Sequence, residues 1–486
     1  MSAARKQECR ALLCLAAGFA VLYGYFYQGG GWNQNSHFDV VRAIVERRSV
    51  EITAFATNTG DIGRSHGRVY SNKGPGLALL ATPAYLALVA LERALGLRVD
   101  SNQAANLNAH VLGFVTSGLP GIALVLLLFQ HFRRASATLA ESLFLATSFG
   151  AGTLVLPYAG LMMSHVFTAC ALFGAWHVLS AARGSRRSFA CAGLLTGLCV
   201  VTDLLAAPIA LLFAGYAWRR HGGHVALAYI AGGAVIAALL ALYDHAVFGA
   251  VFVTNQTLES SEFQTPGLLF GMLGAPQLQR LYWLSVHPFR GIFYGCPVLL
   301  LPLLGLPTRM RMRELDATRV LPLLVIASYV AFNLSFNGWT GGWGMGARYL
   351  IPMFPFLFSF ALAGLRAAPA FGALLSAVSC LFMLAVSAVG VMIPARNGGR
   401  ASDVDPIAES LGHLMRGQVS ISTQGVLDHD PAPDAPHAAW ASYNLGELFG
   451  LHGVVSLAPA LMVLLGLIAL WVDAARSEGA RAINEQ

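Results

Sequence analysis

Charged residues are scarce in this 486-residue chain. Asp, Glu, Lys and Arg together make up 11% of the sequence, whereas 56% of its residues are hydrophobic and the mean hydropathy is +0.61. This balance excludes a disordered chain and an ordinary soluble domain. Apolar runs of about 18 or more residues recur along the sequence, and each is long enough to cross a hydrocarbon core of roughly 30 Å. The composition therefore predicts an all-α, polytopic membrane protein.

Two kinds of motif are also missing. The seven cysteines have no metal-ligand spacing, and we interpret them as small apolar packing residues. The sequence has no phosphate-binding loop of the Gly-x-x-x-x-Gly-Lys-Ser/Thr type, and no strand is expected before the glycines of 341–346. A soluble nucleotide-sugar donor is thus disfavoured. The net charge of +7 comes from bases in short loops between spans, so nucleic acid is not an expected partner.

The apolar runs and the basic loops predict about 12 transmembrane helices with both termini in the cytoplasm. The predicted spans lie near 10–28, 107–132, 139–156, 165–181, 189–202, 204–218, 225–248, 291–306, 320–336, 349–365, 371–393 and 454–472. The predicted organisation is 1–28 for the N-terminus and first span, 29–106 for a first periplasmic loop with interfacial helices and the proposed active site, 107–248 for spans 2–7, 249–290 for a periplasmic loop, 291–393 for spans 8–11, 394–453 for another periplasmic loop and 454–486 for the last span and C-terminus.

The apolar stretch 76–97 decides this topology. If it crossed the membrane, Arg133, Arg134 and the next basic cluster would lie outside. If it lies along the outer surface, those clusters are cytoplasmic, in agreement with the usual excess of bases on that side. We therefore predict an interfacial helix for 76–97. The expected location is the bacterial inner membrane.

The first external loop is unusually basic for this side of the membrane. It contains eight bases, namely Arg42, Arg47, Arg48, Arg64, Arg68, Lys73, Arg93 and Arg98. Such an excess indicates an anionic ligand. The alternative is that long translocated loops ignore the charge bias.

Asp39 is the first candidate residue in that loop. The segment that begins at Ser36 has apolar residues on one face and predicts an amphipathic interfacial helix. Asp39 then has two interpretations, a capping box with Ser36 or a general base held at the membrane surface. The rest of the loop favours the base.

The segment 67–76 predicts a turn that leads into the apolar helix. It contains Tyr70, Lys73 and Pro75. A lysine at the point where the chain meets the membrane is suited to hold a phosphate as a point charge. The alternative is a lysine whose charge reaches the interface from an ordinary helix.

These residues together resemble the GT-C membrane glycosyltransferases, in particular the protein O-mannosyltransferase and lipid A aminoarabinose transferase branch. The shared features are an acid after the first span, an amphipathic helix, and Gly-x-x-Tyr-x-x-Lys-x-Pro before an apolar helix. The resemblance implies a sugar donor linked to polyprenyl phosphate and transfer on the external side. It also implies that Asp39 is the catalytic acid–base residue and that Lys73 contacts the donor phosphate.

The sequence departs from the family's pattern at several positions. Val40 follows Asp39 where the family often has a second acid, and Asn72 precedes Lys73 where Glu is common. A second loop acid is common after the third span, and His165 stands there instead. His165 is either a substrate or metal ligand or a structural residue at the end of a span. A divalent metal is possible, and no other cofactor is expected.

Two further external stretches fit an anionic ligand. Arg290 precedes the span near 291–306, and Arg348 follows the glycine-rich stretch 337–347. Both are candidates for binding the donor phosphate or are ordinary interfacial arginines. Trp339 and Trp343 either stack on a sugar or belong to the interfacial aromatic belt.

The sequence thus predicts an inverting, lipid-phosphate-sugar-dependent glycosyltransferase. Its acceptor is expected to be a hydroxyl of a cell-envelope glycan, a lipid or a protein. A transporter or flippase would need charges near the bilayer centre and an internal repeat, and neither is evident. A non-catalytic polysaccharide-assembly protein would not depend on Asp39 and Lys73.

Overall fold

The computed structural model describes residues 3–181, 184–251, 253, 264–310, 317–392, 404–427 and 440–484. Helices account for most of these residues, which confirms the all-α class. The N-terminal half contains α1 Ala3–Tyr25, α2 Trp32–Arg47, α3 Gly76–Ala94, α4 Asn102–Gly113, α5 Leu119–Arg134, α6 Leu139–Gly152, α7 Val155–Tyr158, α8 Ser164–Leu179, α9 Arg186–Thr202, α10 Ala207–His221 and α11 Gly223–Phe248. The C-terminal half contains α12 Gln279–Ser285, α13 Ile292–Gly295, α14 Leu301–Met310, α15 Ala317–Ser335, α16 Phe354–Phe358, α17 Ala361–Ala367, α18 Pro369–Val389, α19 Pro406–Met415, α20 Leu445–Leu448 and α21 Ala458–Asn484.

The long apolar helices make this a multi-pass membrane protein. Six helical stretches of the described residues are long and apolar enough to cross a membrane, or seven if the pair Arg348–Phe358 and Ala361–Ala367, bent by 65°, forms one span. The six are Arg5–Tyr25, Gly76–Ala94, Asn102–Arg134, Gly223–Phe248, Pro369–Val389 and Gly453–Glu478. Others of the predicted spans form shorter helices, so the count of 12 stays a prediction. Because Gly76–Ala94 has the length of a span, its placement along the interface also stays a prediction.

Four short strands interrupt the helices. They are β1 Phe26–Gln28, β2 Ile62–Ser65, β3 Arg68–Ser71 and β4 Ser442–Asn444. β1 pairs with β4 in antiparallel fashion, and β2 pairs with β3. His66 and Gly67 join β2 to β3, and both have positive φ (49° and 78°), as a tight hairpin turn requires. The segment 67–76, predicted to be a turn, therefore contains strand β3, a short connection and the first residue of α3.

α2 differs from the expected amphipathic helix. It begins at Trp32, and every residue from Gln34 to Val41 is buried. Ser36 therefore lies inside the helix, so the capping box with Asp39 is wrong. Apolar residues of α2 such as Phe38 and Val41 share a small core with Leu77 and Tyr85 of α3. This core fixes the first external loop against the rest of the bundle.

Parts of two predicted loops cannot be compared with the structure. Residues 254–263 of the loop 249–290, and residues 394–403 and 428–439 of the loop 394–453, lie outside the described residues.

Glycines allow a very close contact between α9 and α11. A Cβ atom at Gly193 of α9 would lie 1.9 Å from the carbonyl oxygen of Tyr229, and one at Gly232 of α11 would lie 2.0 Å from that of Ala190. The two backbones can therefore meet only because both positions lack a side chain. Small residues play this part at helix contacts within membranes.

We expect Gly193→Ala to destabilise the protein by about 1–3 kcal/mol, because the added methyl group forces α9 and α11 apart. Thermal unfolding in detergent measures the loss. Gly215→Ala in α10 is the matched control, since a Cβ there has nothing within 4 Å and alanine favours the helix. Equal melting temperatures for the two variants would contradict the proposed contact.

Candidate active site

An ion pair lies at the centre of the segment predicted to be the first external loop. The Lys73 ammonium nitrogen is 3.1 Å from a carboxylate oxygen of Asp61, and the two side chains are 23% and 12% exposed. Ser36 of α2 donates a hydrogen bond to the Asp61 carbonyl and contacts the Ser71 hydroxyl, each at 2.7 Å. The helix α2 and the hairpin β2–β3 therefore hold both partners of the pair in place.

His37 adjoins this pair. Burial, together with the positive charge of Lys73, lowers the pKa of His37 to about 3, although Asp61 acts in the opposite direction. His37 is therefore a neutral imidazole at physiological pH, and it provides one ring nitrogen as a donor and the other as an acceptor.

The start of α3 packs tightly against the end of α9. A Cβ atom at Gly74 would lie 2.2 Å from the Val201 carbonyl oxygen, and one at Gly76 would lie 2.7 Å from the Thr202 methyl carbon. The Lys-Gly-Pro-Gly sequence is thus a packing requirement. It brings Lys73 to the end of α9, where Asp203 follows.

Asp203 and His165 face one another at that position. Asp203 marks the turn between α9 and α10, since its Oδ1 accepts a hydrogen bond from the Leu205 amide at 3.1 Å. Its Oδ2 lies 3.8 Å from His165 Nδ1 and has no hydrogen-bond partner among the described residues. The charge of Lys73 acts on His165 as well as on His37. These groups therefore share one electrostatic environment.

Two buried arginines complete the group. Arg290 and Arg348 are 3% and 7% exposed. The Arg348 guanidinium contacts Met163 Sδ at 3.3 Å and the Tyr349 hydroxyl at 3.4 Å. Arg290 donates to the Gly342 carbonyl and lies 3.9 Å from the centre of the Phe289 ring. Among the described residues, neither guanidinium has a carboxylate within 4.0 Å.

Electrostatics link the arginines to the rest of the group. Burial, and to a smaller extent the charge of Arg348, lower the pKa of Arg290 to about 10. Arg290 nevertheless stays charged at neutral pH. Arg348 interacts electrostatically with Asp61. We use the term candidate site for His37, Asp61, Lys73, His165, Arg290 and Arg348.

The glycine-rich loop after α15 lies against both arginines. Gly341 and Gly342 have φ values of 71° and 68°, which favour glycine. A Cβ atom at Gly341 would lie 3.2 Å from Arg348 Nε, and the Gly342 carbonyl accepts from Arg290. This loop therefore positions the guanidinium groups with backbone alone.

The aromatic residues predicted to bind substrate are spread over this region. Trp343 is 54% exposed. Trp339 packs against the main core with its ring 6.3 Å from that of Trp283. Tyr70 is buried in an edge-to-face contact with Phe248 at 5.1 Å. Substrate contacts by these three residues stay a prediction.

Asp39 occupies a different environment from the candidate site. It is 0% exposed, and Asn58 donates a hydrogen bond to its Oδ1 at 3.1 Å. The charges that act on Asp39 are those of Arg42 and Glu46 on its own helix. The structure thus brings together Lys73, His165, Arg290 and Arg348 as candidate residues, and it places Asp61 beside Lys73. A catalytic role for Asp39 stays a prediction.

The sequence analysis did not single out Asp61 and His37. Asp61 directly precedes β2, the strand that pairs with the Tyr70 segment, and so short a strand has almost no signal in the sequence. No group of three or more His, Cys, Asp or Glu among the described residues lies close enough to hold a metal ion. His165 and Asp203 form a pair, which is fewer than the three or four protein ligands of typical metal sites.

Comparisons with known proteins find a solved structure with a similar fold but no matching sequence family. No protein-family model and no curated protein matches the chain. The crystal structure of ArnT from Cupriavidus metallidurans bound to undecaprenyl phosphate is similar with a TM-score of 0.50 at 13% identity, over 98% of this chain and 78% of that chain. The chain therefore has the GT-C type of fold that the sequence resemblance predicted.

Two further solved structures are more distant. ArnT from the same organism in the apo state has a TM-score of 0.49 at 14% identity, over 97% of this chain and 78% of that chain. The Archaeoglobus fulgidus oligosaccharyltransferase in the apo form has a TM-score of 0.41 at 12% identity, over 94% and 55%.

The burial of Asp39 has a consequence for stability. Burial raises the pKa of the Asp39 carboxyl well above its usual range, so the folded protein keeps a proton that the unfolded chain loses above about pH 4. The stability from this proton is complete below about pH 4 and is lost as the pH rises toward the raised pKa. We expect Asp39→Asn, which cannot lose the proton, to gain stability relative to the original protein as the pH rises above about 4.

Melting temperatures measured across this pH range test the expectation. Asp100→Asn is the control, because the Asp100 side chain is 69% exposed. Parallel pH profiles for the original protein and Asp39→Asn would contradict a buried, protonated Asp39.

Proposed function

We propose that this protein transfers a sugar from a polyprenyl-phosphate-linked donor to a hydroxyl acceptor on the external side of the membrane. The observation that carries the proposal is the pair of buried arginines, Arg290 and Arg348, without carboxylate partners among the described residues. They lie in one group with Lys73, within a fold similar to that of ArnT bound to undecaprenyl phosphate.

Unpaired buried charge supports an anionic ligand. An ionised group that leaves water loses solvation, and a partner of opposite charge must compensate for the loss. A guanidinium binds phosphate oxygens through two hydrogen bonds, and an ammonium binds them as a point charge. Arg290, Arg348 and Lys73 therefore form the phosphate-binding part of the proposed site. A polyprenyl phosphate also provides a long apolar tail, which suits a site at the end of membrane helices.

Asp61 is the proposed general base. Asp61 is 9% exposed, whereas Asp39 is 0% exposed, and the Asp61 carboxylate lies 3.1 Å from Lys73. A base must come within hydrogen-bonding reach of the acceptor hydroxyl. Asp61 takes the acceptor proton as the hydroxyl oxygen attacks the anomeric carbon, and the bond from that carbon to the phosphate oxygen breaks. Lys73 and Arg348 stabilise the negative charge of the departing lipid phosphate. Direct displacement of this kind inverts the anomeric centre.

His37 and Asp203 have supporting roles in this proposal. The low pKa of His37 keeps its imidazole neutral. In this form His37 orients the acceptor through hydrogen bonds and adds no positive charge to the site. The Asp203 carboxylate, 3.8 Å from His165, balances the positive charge of Lys73 that acts on this histidine. None of these steps passes through a metal ion.

The first test is a transfer assay that measures release of free polyprenyl phosphate from a panel of polyprenyl-phosphate sugars. We expect Asp61→Asn to lower the rate about 100-fold to 10,000-fold, as removal of a general base does. Asp39→Asn should keep most of the activity, because Asp39 lies outside the candidate site. The reverse order of the two variants would return the base to Asp39. No release from any donor would contradict a transferase and favour a transporter or an assembly protein.

The phosphate-binding role is tested separately. We expect Arg348→Gln to weaken binding of undecaprenyl phosphate at least about tenfold, because a hydrogen bond to a charged group contributes about 1.5–3 kcal/mol. Equilibrium binding to protein in nanodiscs provides the measurement. Arg98→Gln is the control, since the Arg98 side chain is 82% exposed and lies outside the candidate site. Unchanged affinity in Arg348→Gln would remove this arginine from the phosphate site.

A further inference from the structure

A cavity lies far from the candidate site, at the other end of the same helices. Its volume is about 520 Å³. Helix α8 has His165 in its first turn and Trp176 and His177 in its last turn, and the latter two line the cavity. His165 and His177 are twelve residues apart, which is about 18 Å along a helix axis.

Two other segments also have one end near the candidate site and the other end at the cavity. Helix α15 begins near Arg319, which lines the cavity, and ends before the glycine-rich loop of the candidate site. The stretch that starts at Arg348 reaches Phe360, which also lines the cavity. The cavity therefore lies at the opposite membrane face. The bases at this end predict that this face is cytoplasmic.

The lining of the cavity is basic and aromatic. Its polar members include His131, Arg134, His177 and Arg319, and its rings include Trp176 and Phe360. None of the lining residues from the described part of the chain is acidic. The described lining residues therefore carry positive charge from Arg134 and Arg319 and no carboxylate.

Two buried polar atoms indicate a ligand more directly. Trp176 is 5% exposed and His177 is 8% exposed. Trp176 Nε1 and His177 Nε2 have no hydrogen-bond partner among the described residues. A buried polar atom without a partner costs about 1–3 kcal/mol, and buried polar groups are normally satisfied. Both side chains line the cavity, so a bound molecule with acceptor oxygens would satisfy them.

We propose that this basic cavity binds the phosphate group of an anionic amphiphile. Arg134 and Arg319 provide the charge, and Trp176 and His177 provide the unsatisfied polar atoms. The volume falls within the roughly 300–1,000 Å³ of small-molecule sites and exceeds the needs of a bare phosphate ion. The rings of Trp176 and Phe360 suit the apolar part of the molecule, and basic pockets between membrane helices commonly hold lipid head groups.

Native mass spectrometry of the detergent-purified protein tests this site. The probe is dihexanoyl phosphatidic acid, and the comparison ligands are inorganic phosphate and dihexanoyl phosphatidylcholine. We expect the double variant Arg134→Gln/Arg319→Gln to bind one phosphatidic acid fewer than the original protein, because its affinity for this molecule is at least about tenfold lower. Arg219→Gln is the matched control. Arg219 is an exposed arginine in the last turn of α10, and it does not line the cavity.

Two further variants separate this site from the others. Lys73→Gln should keep the bound molecule, because Lys73 belongs to the candidate site. His177→Phe should weaken binding, because it removes the buried ring nitrogen that has no partner among the described residues. The variant keeps an aromatic ring at this position, so the fold should be retained, and thermal unfolding checks this.

Three outcomes would overturn the proposal. Equal binding by the original protein and the double variant would remove the site. Equal binding of phosphatidylcholine would remove the selectivity for an anionic phosphate group. Complete displacement by an equal concentration of inorganic phosphate would assign the cavity to the free ion instead of an amphiphile.

Discussion

The desolvation of Arg290 and Arg348 is the constraint on which the candidate site depends. Both guanidinium groups are buried, and among the described residues their contacts are to backbone, sulfur, hydroxyl and ring atoms and to no carboxylate. Neutral contacts of this kind satisfy some donors but leave the charge uncompensated. The nearby ion pair Lys73–Asp61 is internally neutral, and the Asp203 carboxylate faces His165 instead of either arginine. The region as a whole is therefore prepared for an anion, which gives a physical reason for the proposed phosphate ligand.

Backbone geometry supplies the precision that this arrangement needs. Gly74 and Gly76 bring α3 within contact of α9, and Gly341 lies so close to Arg348 that a Cβ there would be 3.2 Å from its Nε, a tight contact. The hairpin β2–β3 and the helix α2 hold Asp61 and Lys73 through serine hydroxyls. Rigid supports of this kind matter because electrostatic stabilisation depends on groups that are already in position before the reaction.

Much of this site was predictable from the sequence, and the remainder depended on tertiary contacts. An excess of bases in the first predicted external loop indicated Lys73, because the charge bias of membrane loops is a strong rule. Arg290 and Arg348 were indicated by their positions just before two predicted spans. The long apolar runs predicted the fold class for the same kind of reason. The proposed base was harder to predict, because Asp39 and Asp61 lie in the same loop and are distinguished by tertiary contacts, to Asn58 for Asp39 and to Lys73 for Asp61. Asp61 reaches Lys73 through the pairing of two four-residue strands, and so short a hairpin has almost no periodic signal. The number of spans also stays a prediction, since several helices are too short for length alone to assign them.

An experimental structure of the protein with undecaprenyl phosphate tests the central claim most directly. The account predicts phosphate oxygens within hydrogen-bonding distance of Arg348 and Lys73, with the Asp61 carboxylate beside the phosphate and Asp39 still enclosed by α2 and Asn58. A phosphate bound elsewhere, with Arg290 and Arg348 still lacking an anionic partner, would contradict the account.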